Sequence, residues 1–100
     1  MTLTLGKFRE EISGLKPPCL TRDEPLEPLS LSIQADRIAV ILGANSYIAL
    51  CAGNTSVTLS HIQTVKPSRK DNQKSYVIVC RDLTNSNIPE LKKYRLIFPD

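Results

Sequence analysis

Strand-sized apolar stretches separated by short turns run from Leu29 to Phe98 and take up most of the 100-residue chain. In two of them, 29–34 and 56–60, apolar residues alternate with hydroxyl or amide residues, which is the period of a strand with one buried face. Gly53 and Asn54, between two such stretches, are typical of a tight reversal. The pattern predicts a mainly-β fold (α+β by strict count) with antiparallel neighbours.

Two further stretches, 37–42 and 75–81, carry apolar residues on both faces. Such strands are typical of a sheet that is covered on both sides. We therefore predict a small antiparallel β-barrel or a strongly bent β-meander of roughly five to seven strands, with a helix or a partner subunit on the second face. The remaining strands are predicted at 47–51 and 93–98, a bend or bulge is predicted near 62–65, and loops are predicted at 66–74 and 82–88.

The N-terminal segment, roughly residues 3–15, is predicted to form a helix. Phe8, Ile12 and Leu15 are spaced four and three residues apart, so they share one helical face. Gly14 and the prolines that follow it are stop signals. A helix this short is not stable in isolation, so we expect its apolar face to pack on the sheet.

Residues 16–28 form a connector that contains four prolines and three acidic residues. Proline fixes φ and removes a backbone donor, so the connector is predicted to be extended and irregular. A chain of this length buries enough apolar surface for one core but not for two. We therefore predict a single domain over 1–100, made of an N-terminal helix (1–15), the connector (16–28) and a sheet or barrel (29–100).

The residues needed for catalysis are scarce. His61 is the one histidine, and it follows Ser60 directly; side chains of adjacent strand residues point to opposite faces, so the two are not expected to meet. His61 is expected to lie partly buried on the side of Val57 and Leu59. The four glycines form no phosphate-binding loop pattern. We expect no enzymatic activity, no cofactor and no small-molecule substrate.

The three cysteines, Cys19, Cys51 and Cys80, are odd in number and widely spaced, which favours reduced thiols over a disulfide framework or a metal site. Cys19, in the connector, is expected to be the most exposed thiol.

Charged residues interrupt the N-terminal stretch where an export signal would need apolar ones, and no apolar run is long enough for a spanning helix. The sequence therefore predicts a cytoplasmic protein with no membrane association.

Basic charge is concentrated in the C-terminal part of the chain. Residues 1–36 hold four basic and six acidic side chains, whereas 37–100 hold nine and four. Two clusters account for most of the excess and are candidates for contact with phosphates or with an acidic surface. Their members are Lys66, Arg69, Lys70 and Lys74 in the predicted loop, and Lys92, Lys93 and Arg95 near the C-terminus.

Two functions fit these features. The two-sided apolar strands and exposed strand edges favour a non-enzymatic interaction module that mediates protein–protein contacts, assembly or self-association. The alternative is a nucleic-acid-binding small barrel that uses the basic loop 66–74 and the basic residues 92–95. Base stacking would need aromatic side chains on a sheet face, and Tyr47, Tyr76 and Tyr94 are the candidates.

Overall fold

The computed structural model describes residues 1–22, 32–82 and 90–99, without the side chains of Lys70, Asp82 and Glu90. Within these ranges the chain forms one helix and eight strands. They are α1 (Leu5–Ile12), β1 (Cys19–Arg22), β2 (Ser32–Gln34), β3 (Arg37–Ile41), β4 (Tyr47–Ala52), β5 (Thr55–Ser60), β6 (Ile62–Lys70), β7 (Gln73–Asp82) and β8 (Glu90–Phe98). The loop predicted at 82–88 lies outside the described residues, apart from Asp82.

Two antiparallel sheets make up the fold. The five-stranded sheet has the order β2-β1-β8-β7-β6, and the three-stranded sheet has the order β3-β4-β5. The predicted mainly-β fold with one N-terminal helix is confirmed. The sheets do not close into a barrel, and the described strands outnumber the roughly five to seven predicted.

The extra strand comes from the proline connector. Cys19–Arg22 forms β1, which pairs with β2 on one side and with β8 on the other, so this part of the connector is regular rather than irregular. Pro17 and Pro18 lie before the strand, so their lack of a backbone N–H removes no hydrogen bond from the sheet. The Gln34 side-chain amide donates to both proline carbonyls, at 3.3 and 3.4 Å. The remainder of the connector, 23–28, and positions 29–31 of the predicted strand lie outside the described residues.

The predicted basic loop 66–74 is instead a long hairpin. β6 and β7 pair from Ile62 to Lys70, and only Asp71 and Asn72 form the turn. Both turn residues have positive φ, 54° and 63°, which is the backbone geometry of a type I′ turn. Asp and Asn adopt this region more readily than most residues, so the local sequence supports a two-residue reversal.

The helix packs on the core through its aromatic residue. Phe8 is fully buried and meets Tyr76 edge to face at a centroid distance of 4.9 Å, and Tyr76 in turn meets Phe98 at 5.7 Å. The Thr4 hydroxyl accepts a hydrogen bond from the Lys7 N–H and caps the helix. The predicted packing of the helix through Phe8 and Ile12 is confirmed.

Leu15 does not join that apolar face. The helix ends at Ile12, Ser13 is extended, and Leu15 is 38% exposed. Gly14 adopts a φ of 84° immediately after the helix, so the chain leaves the helical path before Leu15. The stop signal at Gly14 therefore acts earlier than the apolar spacing alone predicts.

The two strands predicted to be buried on both sides differ. In β7, Ile78 is buried towards the core while Val77 and Val79 are half-buried on the other face. In β3, Val40 is buried, but Ala39 is exposed and Ile41 is 41% exposed. The two-sided burial predicted for 37–42 is therefore wrong, because β3 is the edge of the three-stranded sheet and nothing in the described residues covers its second face.

Candidate functional site

Several of the predicted basic residues share the outer face of the five-stranded sheet. Successive side chains of a strand alternate between faces, and the even-numbered residues Ile78 and Leu96 are buried in the core. Pairing of Lys66 with Val77 and of Val77 with Arg95 puts these three residues on the opposite face. The same alternation brings Lys93 and Arg81 to that face. We call Lys66, Arg81, Lys93 and Arg95 the basic face.

The strand register sets the spacing of these cations. Lys66 and Arg95 lie in one row, separated by β7, so their Cα atoms are about 10 Å apart at the usual strand spacing. Lys93 and Arg95 are two residues apart on β8, or about 7 Å. Arg81 extends the group along β7. The basic face is therefore a patch two to three strands wide rather than a loop.

Arg95 is held in place by neighbouring hydroxyl groups. Its Nη1 atom lies 3.2 Å from the Ser68 Oγ and 3.4 Å from the Ser75 Oγ, and it donates to both. Ser75 is fully buried although it belongs to the outer face. The half-buried Arg95 guanidinium therefore lies over β6 and β7, and its orientation is fixed by two strands besides its own.

Three of the other predicted basic residues, Arg69, Lys74 and Lys92, lie elsewhere. Arg69 and Lys74 pair with each other near the hairpin tip, in the strand phase of the core face, and both are exposed at the end of the sheet. Lys92 has the same phase on β8 and is half-buried. Lys70 pairs with Gln73 next to the turn, and its side chain is outside the described residues. The structure thus divides the two sequence clusters between two faces.

Arg81 belongs to the basic face but was not among the predicted site residues. The sequence allowed this position to be predicted, because Arg81 is the last residue of the predicted strand 75–81 and lies on the same strand face as Val77 and Val79. It was missed because it lies apart from both basic clusters along the chain. Only the pairing of β7 with β8 brings it next to the C-terminal cluster.

Most of the charged residues in the five-stranded sheet are basic. Its strands include two acidic residues, Asp82 and Glu90, which pair with each other at one end of the sheet. None of the described side chains of these strands carries a carboxylate. The described cations of the strands are Arg22, Lys66, Arg69, Lys74, Arg81, Lys92, Lys93 and Arg95.

The aromatic residues are not on the basic face. Tyr76 and Phe98 are buried in the core, and Tyr94, in the same strand phase as Leu96, packs partly buried against that core. Tyr47 belongs to the three-stranded sheet. Across the described part of the sheet, the basic face therefore presents hydroxyl, aliphatic and cationic side chains and no ring on which a base could stack.

A second surface lies beside β3. An open groove of about 610 Å³ runs between the end of α1 and this edge strand. Its apolar lining comes mainly from Ile12 and Leu15 on the helical side and from Ile38, Ala39 and Val40 on the strand. We call it the β3 groove. Arg9 and Glu10 add one charge of each sign.

The backbone of β3 is open towards the groove side of the sheet. Gly53 and Asn54 close the β4–β5 hairpin as a two-residue loop, so the flanking pair Ala52 and Thr55 is hydrogen-bonded. Counting back from this pair, the odd-numbered residues of β4 direct their backbone groups to β3, where they pair with odd-numbered residues. The N–H and C=O groups of the even-numbered residues Ile38 and Val40 therefore point away from the sheet. No hydrogen bond to these groups occurs within the described residues.

His61 departs from its expected position. It is exposed, with a φ of 54°, and the register shifts between Ile62 and Thr64, so the strand alternation breaks there. The break brings the Ser60 Oγ within 3.2 Å of the His61 Nδ1, contrary to the expectation for a regular strand. No carboxylate bonds to His61 in the described ranges, so this contact lacks the third group of a catalytic triad.

The thiols do not form a reactive or metal-binding group. Cys80 is buried, while Cys19 and Cys51 are both half-buried, so Cys19 is only partly exposed and is not set apart from Cys51. β1 is an inner strand, and the Cys19 Sγ lies 3.4 Å from the Ser32 Oγ of β2. Across residues 1–22, 32–82 and 90–99, no three His, Cys, Asp or Glu side chains converge.

The described helix is too short to cross a membrane, and no other helix occurs in the described ranges. Comparison of the chain with protein-family models, with curated proteins and with solved structures finds no match. The arrangement of the residues themselves is therefore the basis for a functional proposal.

Proposed function

We propose that this chain is a non-enzymatic interaction module that binds an extended segment of a protein partner along the free edge of β3. One observation carries the proposal: a strand edge with which no described residue pairs lies directly beside an apolar groove. Strand addition of this kind obtains affinity from main-chain hydrogen bonds and specificity from side-chain pockets. The N–H and C=O groups of Ile38 and Val40 would supply the hydrogen bonds, and the β3 groove would receive alternate side chains.

The chemistry of the edge favours an apolar partner segment. Arg37 is the one charged residue of β3. Ile41 and Leu42 are each 41% exposed, and Leu15 is 38% exposed at the other end of the groove. Large apolar side chains grouped beside a free edge are typical of a surface that is covered in a complex.

The opposite sheet offers a contrast within the same molecule. The outer edge of β6 is closed to strand addition. Pro67 has no N–H at a position where the backbone faces outwards, and the Leu3 N–H donates to the Val65 carbonyl at 2.7 Å. β3 contains no proline, and none of the described residues donates to its outer edge. A chain that blocks one edge and leaves another open is consistent with use of the open one.

Replacement of one edge residue by proline tests the proposal. Ile38→Pro removes an N–H that faces away from β4, so the β3–β4 ladder should be kept while strand addition is blocked. Ile38→Val, which keeps the N–H, is the matched control. Peptides selected by display on the immobilised chain would be titrated by fluorescence anisotropy. We expect Ile38→Pro to weaken binding at least tenfold and Ile38→Val to leave it within about twofold.

A charge-reversal variant completes the test. Replacement of Lys66, Arg69, Lys70 and Lys74 together by Glu should leave peptide binding or self-association largely intact, because none of these residues lies at β3. Circular dichroism would confirm that each variant is folded, and light scattering would report self-association. Equal binding by Ile38→Pro and Ile38→Val, or loss of binding in the folded charge-reversal variant, would overturn the proposal.

A further inference from the structure

We propose that the basic face, on the outer side of the five-stranded sheet, binds the phosphate backbone of double-helical nucleic acid. This activity is separate from strand addition at β3, because it uses a different sheet and a different chemistry. Its residues are Lys66, Arg81, Lys93 and Arg95.

Charge complementarity is the first argument. Lys66, Arg81 and Lys93 are exposed, and the two acidic residues of the five strands, Asp82 and Glu90, pair with each other at one end of the sheet. Cations grouped on one surface raise the local concentration of phosphate and gain affinity by releasing counterions from the nucleic acid. An evenly solvated surface would instead intersperse both signs of charge.

Spacing is the second argument. The Cα atoms of Lys66 and Lys93, whose side chains are both exposed, are about 12 Å apart diagonally across β7, which matches the major-groove width of about 12 Å in a duplex. The long lysine side chain can adjust by several ångströms. Cations at this separation can therefore contact phosphates on both sides of one groove.

Arg95 supplies a fixed point in this group. The Ser68 and Ser75 hydroxyls accept hydrogen bonds from one of its terminal nitrogens, which orients the guanidinium across the sheet. An oriented guanidinium loses less side-chain entropy on binding phosphate than a mobile one does. Thr64 and Ser68, on the same face, add hydroxyl groups that can donate to phosphate oxygens.

The lack of aromatic side chains on the basic face favours a duplex over a single strand as the ligand. Proteins that bind single strands stack bases on aromatic side chains, and Tyr76 and Phe98 of this sheet are instead buried in the core. A duplex presents its phosphates outwards and needs no stacking platform. We therefore expect binding that prefers duplex over single strand and is independent of base sequence.

The test measures affinity against salt. A fluorescein-labelled DNA duplex of random sequence, and one of its strands alone, would be titrated with the full chain at 50 to 200 mM NaCl and followed by anisotropy. Four phosphate contacts predict a slope of log K against log salt of about −3.6, so affinity should fall about 150-fold over this range. The single strand should bind more weakly at every salt concentration.

Paired variants separate local contacts from net charge. Lys66→Gln combined with Lys93→Gln removes two contacts, which should reduce the size of the slope by about 2 and weaken binding at least tenfold at 50 mM NaCl. Lys7→Gln combined with Lys16→Gln is the matched control, since it makes the same lysine-to-glutamine changes at exposed positions outside both sheets. The control should bind within about threefold of the unmodified chain.

Three results would overturn the proposal. They are no duplex binding at 50 mM NaCl, equal loss of binding in the two double variants, and binding of polyglutamate as tight as that of the duplex, which would indicate an acidic protein partner. Ile38→Pro serves as a cross-check, because it should leave duplex binding unchanged. Failure at the basic face and failure at β3 are therefore distinguishable.

Discussion

The two sheets of this chain differ in how they meet their surroundings. The five-stranded sheet has a cationic outer face, and its β6 edge is closed by Pro67 and by the Leu3–Val65 hydrogen bond. The three-stranded sheet contains one charged residue, Arg37, and leaves the β3 edge open beside exposed aliphatic side chains. The cationic sheet is thus closed at its β6 edge, whereas the β3 edge, to which no described residue bonds, belongs to the sheet in which charge is scarce.

This division indicates two separate recognition chemistries. Long-range attraction to anions needs no free backbone groups, so the basic face can lie on a completed sheet. Strand addition needs free N–H and C=O groups and gains from apolar neighbours, so it suits the three-stranded sheet. The following changes would break or sharpen this contrast.

The largest expected effect is on the element that packs against both sheets. Phe8 is fully buried against Tyr76, and α1 also borders the β3 groove. Phe8→Ala should lower the free energy of unfolding by about 3–5 kcal/mol, because it leaves a cavity at the centre of the core. Leu91→Ala, at a residue 57% exposed, should change it by less than about 0.5 kcal/mol.

Denaturant unfolding would give both free energies. Amide hydrogen exchange in β4 and β7 would then show whether the sheets open together. Loss of protection in β7 alone in Phe8→Ala would mean that the helix supports only the five-stranded sheet.

A partly buried hydrogen bond ties the helix to the five-stranded sheet in particular. The Tyr76 hydroxyl donates to the Glu11 Oε1 at 2.9 Å. Tyr76→Phe leaves the carboxylate without this donor and should lower the free energy of unfolding by about 1–2 kcal/mol at pH 7. The measurement is urea unfolding of both proteins. An unchanged midpoint would show that solvent replaces the bond at no cost.

The same bond predicts a dependence on pH. Burial raises the pKa of the Tyr76 phenol, and the hydrogen bond and negative charge of Glu11 raise it further. The unfolded chain loses this proton near pH 10.0 while the folded chain keeps it. The contribution of Tyr76 is therefore fully present below that pH and is lost above it, by about 1.4 kcal/mol per pH unit. The difference in stability between wild type and Tyr76→Phe should shrink above pH 10.

The hairpin turns of the two sheets should respond in opposite directions. Gly53, in the three-stranded sheet, has a φ of 59°, so Gly53→Ala should lower the free energy of unfolding by about 1 kcal/mol. Asn72, in the five-stranded sheet, has a φ of 63°, so Asn72→Gly should raise it by about 0.5 kcal/mol. Thermal unfolding of the pair checks the signs, and a stabilising Gly53→Ala would contradict the assigned turn geometry.

The smallest effect on stability is expected at the closed edge. Pro67→Val restores a donor on the free side of β6, and we expect concentration-dependent association with a change in stability within about 0.5 kcal/mol. Pro67→Lys restores the same donor but adds a charge that opposes edge pairing, so it should remain unassociated. Sedimentation velocity separates these outcomes, and a monomeric Pro67→Val would show that Pro67 is not what protects β6.

Local pattern was enough to predict much of the fold. The helix around Phe8 and the strands at 37–41, 47–52 and 55–60 follow from apolar periodicity and from the turn at Gly53. β1 was missed because the prolines on either side of it in the connector lower strand propensity, and its strand character comes from pairing on both sides with β2 and β8. The hairpin at Asp71 was missed because its dense cations are typical of a loop.

The candidate sites depend on information that local pattern does not contain. Lys66, Arg81 and Arg95 come together only because β6, β7 and β8 are neighbours in the same sheet. The opening at β3 likewise depends on which strands end each sheet. A periodicity of two describes the faces of a strand but gives no account of its neighbours.

The position of β1 has a consequence for how the chain acquires its structure. Leu20 pairs with Leu96, whereas the three-stranded sheet is built from consecutive hairpins. Contacts between distant segments form slowly, since a long loop must be closed first. During synthesis, the hairpins of the three-stranded sheet and the β1–β2 pair can form early, but the second edge of β1 has no partner until β8 has been made. The N-terminal part of the five-stranded sheet is therefore completed later than the three-stranded sheet.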